Sequence, residues 1–202
     1  MEININAIDR ILAEDEYIEW LGKAEPFPLL HDGNKKRLYL RWASCAVVAV
    51  LLSLFYITNV LSRGVGIRVS AFVVILCVPV IMALKPIWDK RYLADNLIYV
   101  ITNQRAIIYR DEKNQSSMSL DKLDGLWIHE KGDGVGDVAF GAAAVTAPAH
   151  KYFYYALSAK TKMVEEKEIV VAMAFYNVAL VDRIRTLLET IGAQVITAYS
   201  SR

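Results

Sequence analysis

Hydrophobic positions follow three different patterns along this chain. Between Arg41 and Arg63 lie twenty-one consecutive residues without a charge, "WASCAVVAVLLSLFYITNVLS". At about 1.5 Å per residue they make a helix of roughly 31 Å, matched to a hydrocarbon core of roughly 30 Å. A buried helix of a soluble protein is usually shorter and carries a charged stripe, and this one has none, so the pattern predicts a membrane span. A second uncharged run of sixteen residues, "VSAFVVILCVPVIMAL", extends from Val69 to Leu84. It reaches only about 24 Å, and a snorkelling Lys85 followed by "PIW" carries it to an interfacial Trp88. Pro79 lies inside it, where its missing N–H leaves a carbonyl without the usual partner. The connector "RGVGIR" is too short for a domain, so the two runs predict a tight helical hairpin with both chain ends on one side.

On either side the period changes. In "NAIDRILAEDEYIEWLG", Ile8, Ile11, Leu12, Ile18 and Leu21 recur near 3.6 residues and predict a helix with one apolar face. "EPFPLLHDGN" then reads as an extended link with a turn at Asp32-Gly33. After the hairpin come short apolar runs that read as strands: "LIYVIT", "AIIYR", "SSMSL", "GLWIHEK", "DVAFGA", "YYALSA" and "IVVAMAFY". "RDEKNQ", "GDGVG" and "TKMVEEKE" supply turn chemistry between them. Seven short strands suggest a sandwich or small barrel. Helical periodicity returns at the end, with Asn177 as N-cap, Leu180, Val181, Ile184, Leu187, Leu188 and Ile191 on one face, and Gly192 where a left-handed cap is expected. The division is therefore 1–38, an acidic helix and extended lead; 39–91, the two-span hairpin; and 92–202, a β-rich domain closed by a helix.

Charge orients this arrangement. Seven basic residues (Lys35, Lys36, Arg37, Arg41, Lys85, Lys90 and Arg91) flank the hairpin's outer ends, against Arg63 and Arg68 in the connector. The positive-inside rule places both termini in the cytoplasm, at an inner (cytoplasmic) membrane. The first 25 residues hold seven acids and two bases. A helix lying on a membrane surface is normally basic, so this one is expected to pack on protein. Formal net charge is +1, which advertises no nucleic-acid partner. Cys45 and Cys77 both lie within the proposed spans and read as packing residues, not as a disulfide framework.

Tyr99, Thr102, Asn103 and Arg105 in "YVITNQRAIIY" resemble the first hairpin of bacterial pleckstrin-homology-like (PH-like) domains in membrane proteins. "GDGVGDVAF" is similar to that family's glycine turn and following strand, and "AFYNVALVDRIRTLLETI" to its last strand and closing helix. "YIEWLGKAEPF" is similar to the lead that precedes the membrane hairpin. The resemblance extends from about Tyr17 to Ile191. It implies a membrane-anchored α+β protein whose domain is a bent seven-stranded barrel of two near-orthogonal sheets, with the C-terminal α-helix plugging one open end. "AAAVTAPAHKYFYY" departs from the pattern as a longer, less strand-like connection, and leaves strand boundaries between Gly141 and Tyr155 undefined.

Little in the chain points to catalysis. His31, His129 and His150 belong to no metal-ligand cluster, and no cofactor motif is present. "GDGVGD" lacks the acids of a calcium loop and the Lys-Ser/Thr of a P-loop, whereas Asp133-Gly134 between strands is a hairpin signal. There is no nucleophile elbow and no ionisable residue within the spans, so no enzyme is expected. Lipid-headgroup sensing would need clustered bases near the first hairpin, where Arg105, Arg110 and Lys113 are the candidate binding residues. Asp111 and Glu112 dilute them, and an ion pair or turn contact is the plainer role for Arg105. Two functions remain open: a scaffold or protein-interaction module at the cytoplasmic face, whose partner is a cytoplasmic or membrane protein or a second copy of the chain, and a headgroup-sensing domain at the inner membrane surface.

Overall fold

The computed structural model describes residues 5–28, 32–64, 66–121, 123–164, 166–191 and 195–199. They form two compact units, Pro28–Arg91 on one hand and Met1–Phe27 with Tyr92–Arg202 on the other. The lead is thus joined to the β-rich domain, where three consecutive segments were expected.

In the first unit, helices α2 (Asp32–Ser62) and α3 (Val69–Asn96, whose last residues pass into the second unit) are each long and apolar enough to cross a membrane. Mean hydropathy reaches 2.1 and 2.3 in their most apolar stretches, and only 6% of each stretch is covered by the rest of the protein. Core helices of soluble proteins are mostly covered. Trp42 Nε1 donates to the Ala83 carbonyl at 3.1 Å, and near the connector the Arg68 amide donates to Tyr56 Oη at 3.0 Å. These bonds pair the helices antiparallel at both ends. Ser44, Thr58 and Ser62 return their hydroxyls to carbonyls three or four residues back, so none needs an outside partner. Asp32-Gly33 opens α2 and does not form the expected turn.

The second unit begins with α1 (Ile5–Asp9) and β1 (Ile18–Gly22). The long amphipathic helix expected here is therefore absent: its second half is a strand, paired antiparallel with β2 (Ile98–Thr102). β3 (Arg105–Tyr109) and β4 (Gln115–Ser119) complete a four-stranded sheet in order β1-β2-β3-β4. β5 (Leu126–Gly132) and β6 (Val135–Phe140) form a hairpin through Asp133 and Gly134, whose φ values of 54° and 70° suit a two-residue turn. After α4 (Ala142–Val145), a 3-10 turn and α5 (Tyr152–Leu157) come β7 (Lys160–Val164), β8 (Lys167–Val178), α6 (Val181–Thr190) and β9 (Val195–Tyr199). The second sheet has the order β7-β8-β6-β5-β9, with β9 parallel to β5.

Among the described residues the layout is α+β, with two open sheets of four and five strands in place of the expected seven-stranded barrel. Two local readings account for part of the difference. "YYALSA" lies mostly in α5, where Tyr152, Phe153 and Ala156 are buried at helical spacing. "TKMVEEKE", read as a turn, contains most of β7, where every side chain is exposed and no alternation is left. The main core joins both sheets and α6: the Tyr99 and Phe175 rings stack with centroids 4.7 Å apart, and Phe140 meets Phe175 edge-on at 4.8 Å. Val181, Ile184 and Leu188 seat α6 in that core. Leu180, assigned to the apolar face, is 59% exposed and caps the helix in a left-handed conformation. Asn177 lies within β8, the N-cap position of α6 falls to Leu180, and Gly192 lies outside the described residues.

Candidate functional site

The turn between β2 and β3 concentrates the polar residues of the opening motif. Thr102 Oγ1 accepts from the amides of Gln104 and Arg105 at 3.2 and 2.9 Å, closing the turn. The Arg105 guanidinium grips Glu16 in a two-pronged pair, Nε to Oε1 at 2.8 Å and Nη2 to Oε2 at 2.9 Å, and also donates to the Ile11 carbonyl. Asn103 donates to the Asp15 carbonyl and accepts from the Tyr17 amide. Thr102, Asn103 and Arg105 therefore clasp the lead. Burial pushes the Glu16 carboxyl up, but hydrogen bonds from Arg105, Thr102 and the Ala13 amide outweigh it, and the group titrates below its usual range.

The three candidate bases do not form a cluster. Arg105 and Arg110 stand at opposite ends of β3, roughly 16 Å apart along the strand. Arg110 donates to the Leu157 carbonyl. Lys113 is exposed in the β3–β4 turn, which Asp111 organises by accepting from the Lys113 and Asn114 amides. A polyphosphate needs several converging donors, and the two arginines here face protein groups.

A second polar constellation gave no clear signal in the sequence. Lys131 Nζ lies 2.6 Å from Asp137 Oδ1 and 3.8 Å from the centre of the Tyr176 ring, while Asp137 accepts from the Asn177 amide at 2.8 Å. Burial pushes the Asp137 carboxyl up and the Lys131 ammonium down, each opposed by the partner's charge. Burial also pushes the Tyr152 phenol up to about 12, and Tyr99 and Tyr176 higher still. Asn177, with φ of 55°, donates through Nδ2 to the Glu25 carbonyl and accepts at its own carbonyl from the Glu25 amide. Phe27 then meets Tyr176 edge-on at 5.0 Å. The sequence held only a faint trace of this site, an Asp inside "VGDVAF"; the burial of β6 on both faces, which requires the carboxylate to be paired, is visible only in the fold.

Among the described residues, β7 lies at the edge of the larger sheet and pairs with β8 alone. Met163 is 64% exposed, Val164 41% and Ile169 46%, beside exposed Lys160 and Lys162. Among the described residues no group of three or more His, Cys, Asp or Glu side chains could hold a metal ion. His31 lies outside them. Compared with protein-family models, curated proteins and solved structures, the chain matches none.

Proposed function

We propose that this chain is a membrane-tethered domain of the bacterial PH-like type that binds a protein partner at the cytoplasmic face of the inner membrane. The hairpin anchors it, the basic flanks orient it, and the domain binds without catalysing. Support for the PH-like reading comes from the motif residues in the first turn, the two-sheet layout and the packing of α6 into the core, although β9 follows α6 where the helix was expected to end the domain. The observation that carries the function is the open β7 edge: unpaired backbone on one side, exposed Met163 and Val164, and two lysines. Edge lysines prevent indiscriminate strand pairing, yet they complement an extended segment carrying acids. Headgroup sensing is the weaker reading, because Arg105 and Arg110 bind protein groups.

A photo-crosslinking residue at Met163 of the full chain, activated in intact membranes, tests the proposal. The expected result is one discrete protein adduct that disappears when Lys160 and Lys162 are changed to Glu. An adduct with lipid, or the same adduct from a probe at Glu189 on α6, would overturn it.

A further inference from the structure

Between α2 and α3, at the end where the uncharged run of α2 begins, an open cleft of about 340 Å³ is lined by residues of both helices. Leu40, Val48, Val78 and Met82 form its apolar wall, and Arg37 and Arg41 lie at one end. One turn apart, the two arginines share a face of α2. Among the described residues neither guanidinium has a hydrogen bond or ion pair, and no acid lines the cleft. From Arg37 to Val48 the wall runs roughly 17 Å along the helix, about half of a roughly 30 Å hydrocarbon core. The cleft is one leaflet deep, with its cations at the headgroup end.

We propose that this cleft is a binding site for one anionic phospholipid, its phosphate held by Arg37 and Arg41 and an acyl chain lying along Leu40, Val48, Val78 and Met82. The inference rests on the membrane-tethered reading. Guanidinium groups bind phosphate oxygens through paired N–H donors, which a point charge does less specifically. A zwitterionic headgroup would bring an ammonium towards two fixed cations, so the site selects net negative charge. A free phosphate would satisfy the arginines and leave the apolar wall uncovered.

The test uses the full chain in nanodiscs of equal phosphatidylglycerol and phosphatidylcholine, transferred to mild detergent for native mass spectrometry. One retained phosphatidylglycerol per chain is expected, preferred on the order of tenfold. The Arg37→Gln/Arg41→Gln variant loses that preference, the corresponding double Lys variant keeps part of it, and excess glycerol phosphate does not displace the lipid. Equal retention of the two lipids, an unchanged preference in the Gln variant, or displacement by glycerol phosphate overturns the site. Should the Gln variant unfold, Met82→Trp decides. It fills the wall without touching charge, so lost retention supports the site and unchanged retention overturns it. Alkaline carbonate extraction of native membranes separates the two levels: release of the chain overturns the tether and the site together, whereas a retained chain without lipid preference overturns the site alone.

Discussion

Glu16 and Asp137 show how burial and partnership set opposite consequences for two carboxylates. Glu16, with its side chain 1% exposed, accepts from Arg105, Thr102 and the Ala13 amide, and its pKa is lowered from 4.5. A lowered folded value means the contribution is fully present above pH 4.5 and lost as pH falls through the folded value. Glu16→Gln should therefore cost about 3 kcal/mol at neutral pH and flatten the acid limb of thermal stability, measured on the full chain in mild detergent. An acid limb unchanged by the substitution would exclude this pair as its source. Asp137 and Lys131 run the other way. A raised carboxyl contributes below 3.8 and loses that contribution as pH rises, and a lowered ammonium contributes above 10.5 and loses it as pH falls. At neutral pH the pair is no net stabiliser. Asp137→Asn alone strands the Lys131 charge and should cost about 3–5 kcal/mol. Lys131→Met/Asp137→Asn should return to within about 1 kcal/mol of the native chain, since Asn still accepts from the Asn177 amide. A double variant as unstable as the single would show the pair to be worth more than its burial costs.

Among the elements, α6 allows the most direct comparison of neighbouring positions. Leu188 is fully buried in the main core and Glu189, one position round, is exposed. Leu188→Asp should cost several kcal/mol by placing a carboxylate in apolar surroundings, while Glu189→Lys should stay within about 0.5 kcal/mol. Equal melting temperatures of the two variants would remove α6 from the core. This helix was legible because its apolar period is strong and local. The lead shows a subtler limit. Ile8, Ile11, Leu12, Ile18 and Leu21 all pack in the second core cluster against Val100, Ile107 and Tyr109, so the apolar set was read correctly. The element was not, since the ladder to β2 that turns Ile18–Gly22 into a strand depends on residues about 80 positions away. Asn177 failed for a similar reason: its polar group serves Glu25, 152 positions earlier, and no local rule finds that bond. The first-turn bases were legible as residues but not as a site, because Arg105 found a carboxylate in the lead and Arg110 a carbonyl in α5.

For the whole molecule, composition marked the two long apolar helices but concealed that they interrupt a folded unit. The β-rich unit grips its lead at three places: the Thr102–Arg105 turn holds residues 11–17, β2 pairs with β1, and Asn177 and Tyr176 hold Glu25 and Phe27. Removing residues 1–27 would uncover Val100 and Ile107, leave β2 as an open apolar edge and strand the Arg105 charge. Each large apolar side chain returned to water costs about 1.5–3 kcal/mol, so the loss of Ile8 and Phe27 with the contacts they cover approaches the whole stability of an ordinary domain. Residues 92–202 expressed alone should therefore unfold without a sharp transition or aggregate through β2. Joining residues 1–27 to 92–202 through a Gly-Ser linker of about ten residues should restore a cooperative, soluble domain, since such a linker is flexible and imposes no geometry. Circular dichroism during heating distinguishes the two. A sharp transition at the same temperature in both would mean that the lead is a passive tether and that the domain completes its core without it.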